Sequence, residues 1–229
     1  PLAPVPVRPY FRPMTLEIRT FTSMGWGENA YLVRCKATGT LVAIDPGGEA
    51  PMIAEALEGA PLEAILLTHA HLDHLEGVAE LKRRTGAPVY LHPADRPLYD
   101  QAAAQAAAFG VEIEEPPPPD GELADNQDFR FGDCSFEVRH VPGHSPGHVL
   151  FYAADAGVAF VGDIVFAGSI GRTDLPGGDY RQLLRGIRER VLTLPDETVL
   201  YPGHGPDTTV GHERVGNPFL VPLEGGRMA

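Results

Sequence analysis

An α/β sandwich, two sheets face to face with helices outside, is the fold class this sequence predicts. Two observations carry that expectation. Strand-like runs come first, then a helix, then strands again and a last helix, so the chain divides into two similar halves. Its 229 residues suit one layered domain with a substantial core.

The elements follow in order. Pro1 to Pro13 holds five prolines and little pattern, which predicts an extended N-terminal arm (1–13) ahead of the domain proper (14–229). Met14 to Phe21 alternates apolar and charged residues as a strand does, and Asn29 to Arg34 and Thr40 to Ile44 read as two more. Asp45-Pro46-Gly47-Gly48 closes the third strand in a tight loop, and Glu49 to Leu57 forms a short helix stopped by Gly59. Ala64 to Leu67 is a buried strand, Leu75 to Leu81 has helical spacing, and Pro88 to Leu91 is a strand. Ala102 to Ala108 is helical by propensity and reads as a plain surface or hairpin helix. Pro116 to Pro119 makes a stiff connector. Phe129 to Phe131, Cys134 to His140, His148 to Ala153, Gly157 to Val161 and Thr198 to Tyr201 are the remaining strands. Asp179 to Leu194 carries an apolar stripe of Leu183, Leu184, Ile187, Val191 and Leu194 at helical spacing, and Val210 to Arg214 suits a short final helix.

Charge and composition narrow the function. A formal net charge of −13 and a pI near 5.0 repel phosphate backbones, which argues against a nucleic-acid partner. No apolar run reaches the ~20 residues of a membrane span, so the expectation is a soluble, cytoplasmic protein with no membrane partner; a monomer or homodimer is the expected assembly. Cys35 and Cys134 lie in strand-like runs without zinc-type spacing and read as buried free thiols.

The chemistry concentrates in Thr68-His69-Ala70-His71-Leu72-Asp73-His74, between a buried strand and a helix. His69 and His71 are two apart, so an extended backbone turns both rings to one side. Asp73 and His74 fall where the helix begins and approach from another direction, which suits two neighbouring metal ions better than one. Imidazoles and carboxylates in such density are costly to bury unless paired or metal-bound. Further ligand types sit at strand ends in glycine-rich turns: His144, Asp163 and His204. Five histidines and two aspartates then make seven ligands, and the two oxygens of Asp163 can bridge, giving each of two ions four protein contacts.

This ordered set resembles the metallo-β-lactamase superfamily, whose hallmark is the HxHxDH cluster followed by His, Asp and His, here from Thr68 to His204. The resemblance implies a four-layer αββα sandwich with the metals at one edge. It assigns His69, His71 and His144 to one ion, Asp73, His74 and His204 to the other, and Asp163 to both. An aspartate at 163, where many lactamases use cysteine, points away from antibiotic hydrolysis. Gly168-Ser169-Ile170-Gly171-Arg172-Thr173-Asp174, Pro202-Gly203-His204-Gly205-Pro206 and Glu213-Arg214-Val215-Gly216-Asn217-Pro218-Phe219 are similar to single-domain glyoxalase II-like hydrolases, relatives of hydroxyacylglutathione hydrolase. The Gly-Arg-Thr-Asp stretch is also shared with persulfide dioxygenases, which bind one iron through the equivalents of His69, His144 and Asp163.

The expected function is therefore hydrolysis of a small-molecule thioester by hydroxide formed on two divalent ions, zinc first, with iron and manganese as the other candidates. A mononuclear iron persulfide dioxygenase is the alternative. Asp73 is expected to help hold the nucleophile, and Arg172 to contact an anionic substrate. His148 is expected to support the His144 loop by a hydrogen bond, and Asp45 to orient a ligand histidine or cap its turn. His92, His140 and His212 read as structural or exposed.

Overall fold

The computed structural model describes residues 15–221; the expected arm over 1–13 lies outside the described residues. The first half builds a six-stranded sheet. Its strands are β1 (Leu16–Thr22), β2 (Asn29–Cys35), β3 (Leu41–Ile44), β4 (Leu62–Leu66), β5 (Val89–Leu91) and β6 (Gly121–Glu122), hydrogen-bonded in that order. β1, β2 and β3 pair antiparallel, whereas β3 to β6 run parallel. Parallel pairing needs crossovers, and helices supply them: α1 (Ala50–Ala56) between β3 and β4, then α2 (Leu72–Leu75) and α3 (Val78–Thr85) between β4 and β5. Between β5 and β6 come α4 (Arg96–Tyr99) and α5 (Ala102–Ala108).

The helix expected from Leu75 begins three residues earlier, inside the histidine cluster, and breaks at Gly77. Residue 77 must be glycine: a Cβ there would collide with the Gly47 carbonyl and Ala50, so only glycine lets α3 pack this close to the loop after β3. The alanine-rich α5 is the expected surface helix, with Ala103, Ala104, Ala107 and Ala108 exposed. It buries Ala102 and Ala106 in the core, and the Gln105 side chain donates to the carbonyls of Ala70 and Leu98 at 3.0 and 2.9 Å. The Pro116–Pro119 connector is also tied down, because the Tyr99 hydroxyl donates to Pro117 O at 2.7 Å.

The second half repeats the plan. β7 (Asp128–Phe131), β8 (Cys134–His140), β9 (Val149–Ala153) and β10 (Val158–Gly162) are followed by the small β11 (Val165–Phe166) and β12 (Ser169–Ile170) hairpin. After α6 (Tyr180–Gly186) and a π-turn over Ile187–Val191 come β13 (Val199–Pro202), β14 (Thr208–Thr209) and α7 (Val210–Gly216). The second sheet has the order β14-β13-β10-β9-β8-β7, with β10 and β13 parallel. Asp179 caps α6 by accepting from Gln182 N at 2.9 Å. The predicted stripe is buried, with Leu183, Ile187 and Val191 at 0% exposure.

Three apolar clusters separate four layers. Between the sheets lie Tyr31, Val33, Ile44, Leu66, Phe131, Phe136, Phe151 and Phe160. Alternate residues of the same strands turn outward to the helices: Leu32, Ala43 and Ile65 meet Ile53, Leu75 and Leu81, and Leu150, Tyr152 and Ala159 meet Leu183 and Ile187. Strands covered on both faces must be apolar throughout, as β3, β9 and β10 are. The four-layer αββα sandwich is therefore present as expected, with the β11–β12 hairpin and the two-residue strands β6 and β14 that sequence reading missed. Among the described residues no helix is long and apolar enough to cross a membrane.

Phe160 contacts the rings of Tyr31, Phe136 and Tyr201 at 5.1–5.7 Å centroid separation. Phe160→Ala is expected to lower unfolding free energy by about 3–5 kcal/mol, read from the urea midpoint at unchanged slope. A loss below ~1 kcal/mol would show that the sheets do not depend on this contact.

Candidate metal centre

The candidate ligands all leave strand ends on one edge of the sandwich. The loop after β4 supplies His69, His71, Asp73 and His74; β8 leads to His144, β10 to Asp163 and β13 to His204. Backbone bonds lock these loops across the sheets: Val149 N donates to Thr68 O at 2.8 Å, and Asn29 N to Gly203 O at 2.7 Å. Gly203 is required by proximity, since a Cβ there would overlap the Asp163 carboxylate and the His74 ring.

All seven predicted residues converge. His144 Nε2 lies 2.8 Å from His71 Nδ1 and 3.1 Å from His69 Nε2, so three ring nitrogens face one point. Beside them, His204 Nε2 lies 3.1 Å from Asp73 Oδ2, and His74 Nε2 is 3.7 Å from that oxygen. Asp163 stands between, with Oδ1 3.4 Å from His74 Nε2 and Oδ2 3.5 and 3.7 Å from the Nε2 atoms of His144 and His204. The triples His69–His71–His144 and Asp73–His74–His204 each offer ligand atoms within 4.8 Å of one another, as a metal ion requires. Two buried atoms aimed inward, His74 Nε2 and Asp163 Oδ1, have no hydrogen-bond partner. Buried polar atoms without partners are rare, and a cation between them is what this donor set fits.

Support comes from the atoms behind the ligands. Asp45 holds the left-handed φ of 47°, and its carboxylate accepts from Thr68 N at 2.7 Å and Thr68 Oγ1 at 2.6 Å while meeting His74 Nδ1 at 3.0 Å. With both oxygens committed, it orients the ring of His74 and also braces the turn, so the two roles expected for it coincide. Asp45 also forms a third possible ligand group with His69 and His74, but those hydrogen bonds occupy it. Arg172 O meets His144 Nδ1 at 2.8 Å, turning Nε2 inward.

Arg172 and His148 make contacts that residue order did not indicate. The exposed Arg172 guanidinium forks onto Asp174, at 2.7 and 2.8 Å, so it is the backbone of this residue that reaches the centre. The His148 ring does not bond the His144 loop. It accepts Asp163 N–H at 3.0 Å and stacks on His69 at 4.6 Å. The reason is topological: β9 and β10 are antiparallel neighbours, so the start of one lies beside the end of the other. His92 and His140 stack at 4.1 Å, with His140 Nε2 2.8 Å from Pro146 O, and His212 is exposed.

Sequence reasoning missed Asp95, which nothing local distinguishes from any loop aspartate. Fully buried, it accepts from Ala70 N, Ser145 Oγ and Gly147 N, joining the His69–His74 loop to the His144 loop. It also missed Glu28, which is fully buried with neither oxygen bonded and whose carboxyl burial pushes up to about 9.

Electrostatics divides the centre. Burial first, then the neighbouring histidines, holds His69 and His148 well below the usual histidine range and His71 at about 3, so these rings present neutral lone pairs. Burial opposes charge on His74, yet Asp73, Asp163 and Asp45 outweigh it and raise His74 well above that range. Burial likewise opposes ionisation of Asp163, but His74 and His144 keep its carboxyl below the ordinary value. Neutral His69 and His71 beside the ionised Asp163 make a site for a divalent cation, whereas His74 must give up its proton before it can take part in one.

Comparisons with known proteins give the family and the fold. Residues 24–204 match the metallo-beta-lactamase superfamily. A protein of Haemophilus influenzae, hydroxyacylglutathione hydrolase GloC, is 40% identical over 186 residues, spanning 77% of this chain and 85% of that one. Among solved structures, TTHA1623 in a di-iron-bound form is 46% identical with a TM-score of 0.81, covering 88% of this chain and all of its own. The BLEG-1 B3 metallo-beta-lactamase is 38% identical with a TM-score of 0.83, covering 89% and 99%.

Asp95→Ala leaves three buried donors unsatisfied and is expected to cost roughly 2–4 kcal/mol, with metal content falling alongside stability. Calorimetry and metal analysis on the purified variant check this; a variant as stable and as metal-rich as the parent would show that the two loops do not depend on Asp95.

Proposed function

The chain belongs to the metallo-β-lactamase superfamily, and on that premise we propose that it hydrolyses small thioesters in the cytoplasm, using two divalent ions. The carrying observation is that seven ligand side chains, enough for two sites sharing Asp163, converge at one sheet edge. His69, His71 and His144 would hold one ion, Asp73, His74 and His204 the other, and Asp163 both. Zinc is the first candidate; the di-iron form of TTHA1623 supports iron, and manganese suits the same donors. Bound ions would lower the pKa of a water from 15.7 to ~7 and offset charge growing on the substrate carbonyl oxygen. The name of GloC supports the thioester class.

The side chains of the protein do the positioning. Asp73 is partly exposed, and its carboxylate can accept a hydrogen bond from the attacking water and hold it against the carbonyl carbon. Asp45 behind His74, and Arg172 O behind His144, keep both rings aimed inward. Water adds across the C–S bond to give an acid and a thiol, and because a thiolate is a good leaving group, no strong general acid is needed. Arg172 lies on the loop touching His144, where opening of its pair with Asp174 would free the guanidinium for an anionic thiol carrier.

A second reading has its own observation. His69, His144 and Asp163 converge as two imidazoles and a carboxylate, the set used by mononuclear iron oxygenases, which makes a persulfide the alternative substrate.

Metal analysis and two substrate assays separate these readings. The protein is expected to carry two ions per chain, to release thiol from a glutathione thioester without oxygen uptake, and to lose both ions and activity in Asp163→Ala. Oxygen uptake with glutathione persulfide, together with negligible thioester cleavage, would replace the hydrolase with the oxygenase. Arg172→Ala is expected to lower kcat/KM for the thioester by about tenfold, mostly through KM. Unchanged kinetics would make Arg172 a structural residue.

A further inference from the structure

At the edge of the sandwich away from the metal centre, the two cysteines of the chain face each other. Cys35 ends β2 in the first sheet, and Cys134 begins β8 in the second, 99 residues later. Their sulfurs lie 2.6 Å apart. That is only about half an ångström longer than a disulfide bond of ~2.05 Å. The approach is imposed by packing rather than by a flexible side chain. Cys35 N donates to Thr40 O, and Cys35 O accepts from Gly39 N, so the turn after β2 is fixed. Gly132, in the β7–β8 turn, sits directly against Thr38 and Thr40 of that turn. Both sulfurs are unbridged thiols, Cys35 buried and Cys134 partly exposed. A cleft of ≈ 30 Å³, lined by Thr15, Leu16, Asp133, Cys134 and Ser135 among others, opens beside Cys134 and admits a molecule about the size of water.

We propose that Cys35 and Cys134 are a redox-modification site that a small hydroperoxide converts to a disulfide joining the two sheets. Burial opposes ionisation of Cys35, but donation from Cys134 and Thr38 brings its thiol down to about 7, while burial and the same contact push Cys134 up to about 12. Cys134 is the sulfur at the cleft, so it is the one the oxidant reaches. Its sulfur attacks one oxygen of hydrogen peroxide, the O–O bond breaks, and the released hydroxide leaves as water with the Cys134 thiol proton, giving a sulfenic acid. Cys35, as thiolate, then attacks that sulfur; the S–S bond forms, the S–O bond breaks, and the departing hydroxide leaves as water with the second thiol proton. Two thiols and one peroxide give one disulfide and two waters. The site is remote from the ligands: Asn29, at the other end of β2, bonds the loop of His204, and six residue steps at ~3.3 Å put Cys35 about 20 Å away.

The test uses the full-length protein as purified with its metal, alkylated under denaturing conditions before and after hydrogen peroxide. Two thiols are expected to label before treatment and none after, with peptide mapping recovering the Cys35 and Cys134 peptides linked and dithiothreitol restoring both. The cross-link closes a long loop, so the melting temperature should rise by roughly 5–15 °C. Cys134→Ser should keep its metal content, form no link, and show no oxidant-dependent shift. Persistence of both labelled thiols, or loss of labelling through sulfinic acid or links between chains, would overturn the proposal.

Discussion

The packing of one sheet on the other is the constraint from which the metal centre follows. The first sheet contributes His69, His71, Asp73 and His74, and the second contributes His144, Asp163 and His204, so neither half holds a complete site. The aromatic layer of Phe131, Phe136, Phe151 and Phe160 sets how the sheets meet. Because strand side chains alternate, a one-residue slip of β10 would exchange Phe160 with Val161 and carry Asp163 away from its neighbours. Packing density thus becomes ligand geometry.

Two buried carboxylates convert that coarse placement into fine aim. Asp45 fixes the Thr68 backbone and the His74 ring, and Asp95 binds the two histidine loops to each other. Each accepts three contacts, which is how a carboxylate is kept in a low-dielectric interior. The ligands themselves are less well compensated. Ionised Asp73 and Asp163 face His74, whose Nε2, like Asp163 Oδ1, has no hydrogen-bond partner. A cation binding this arrangement and not the unfolded chain stabilises the fold by mass action, so metal occupancy and stability are linked.

β2 connects the two ends of the molecule. Its first residue holds the His204 loop and its last residue meets Cys134, so one buried strand touches both the metal centre and the thiol pair.

Much of this was legible in residue order. The alternation of strands and helices identified the layers, and the HxHxDH cluster with His144, Asp163 and His204 identified the centre, because ligand types crowded at strand ends have few other uses. Local pattern could not supply partners distant in sequence. Asp95 looks like any loop aspartate until Ala70, Ser145 and Gly147 surround it; His148 sits in the His144 loop yet bonds Asp163; Arg172 carries a charge, but its carbonyl reaches the site. Cys35 and Cys134 read as isolated thiols because 99 residues separate them, and only the meeting of two sheet edges brings their sulfurs together. Residue order settles which groups are available and in what layers they lie. Which of them touch was decided by tertiary structure, since a hydrogen bond or an S–S contact depends on separations of a few ångströms that only packing defines.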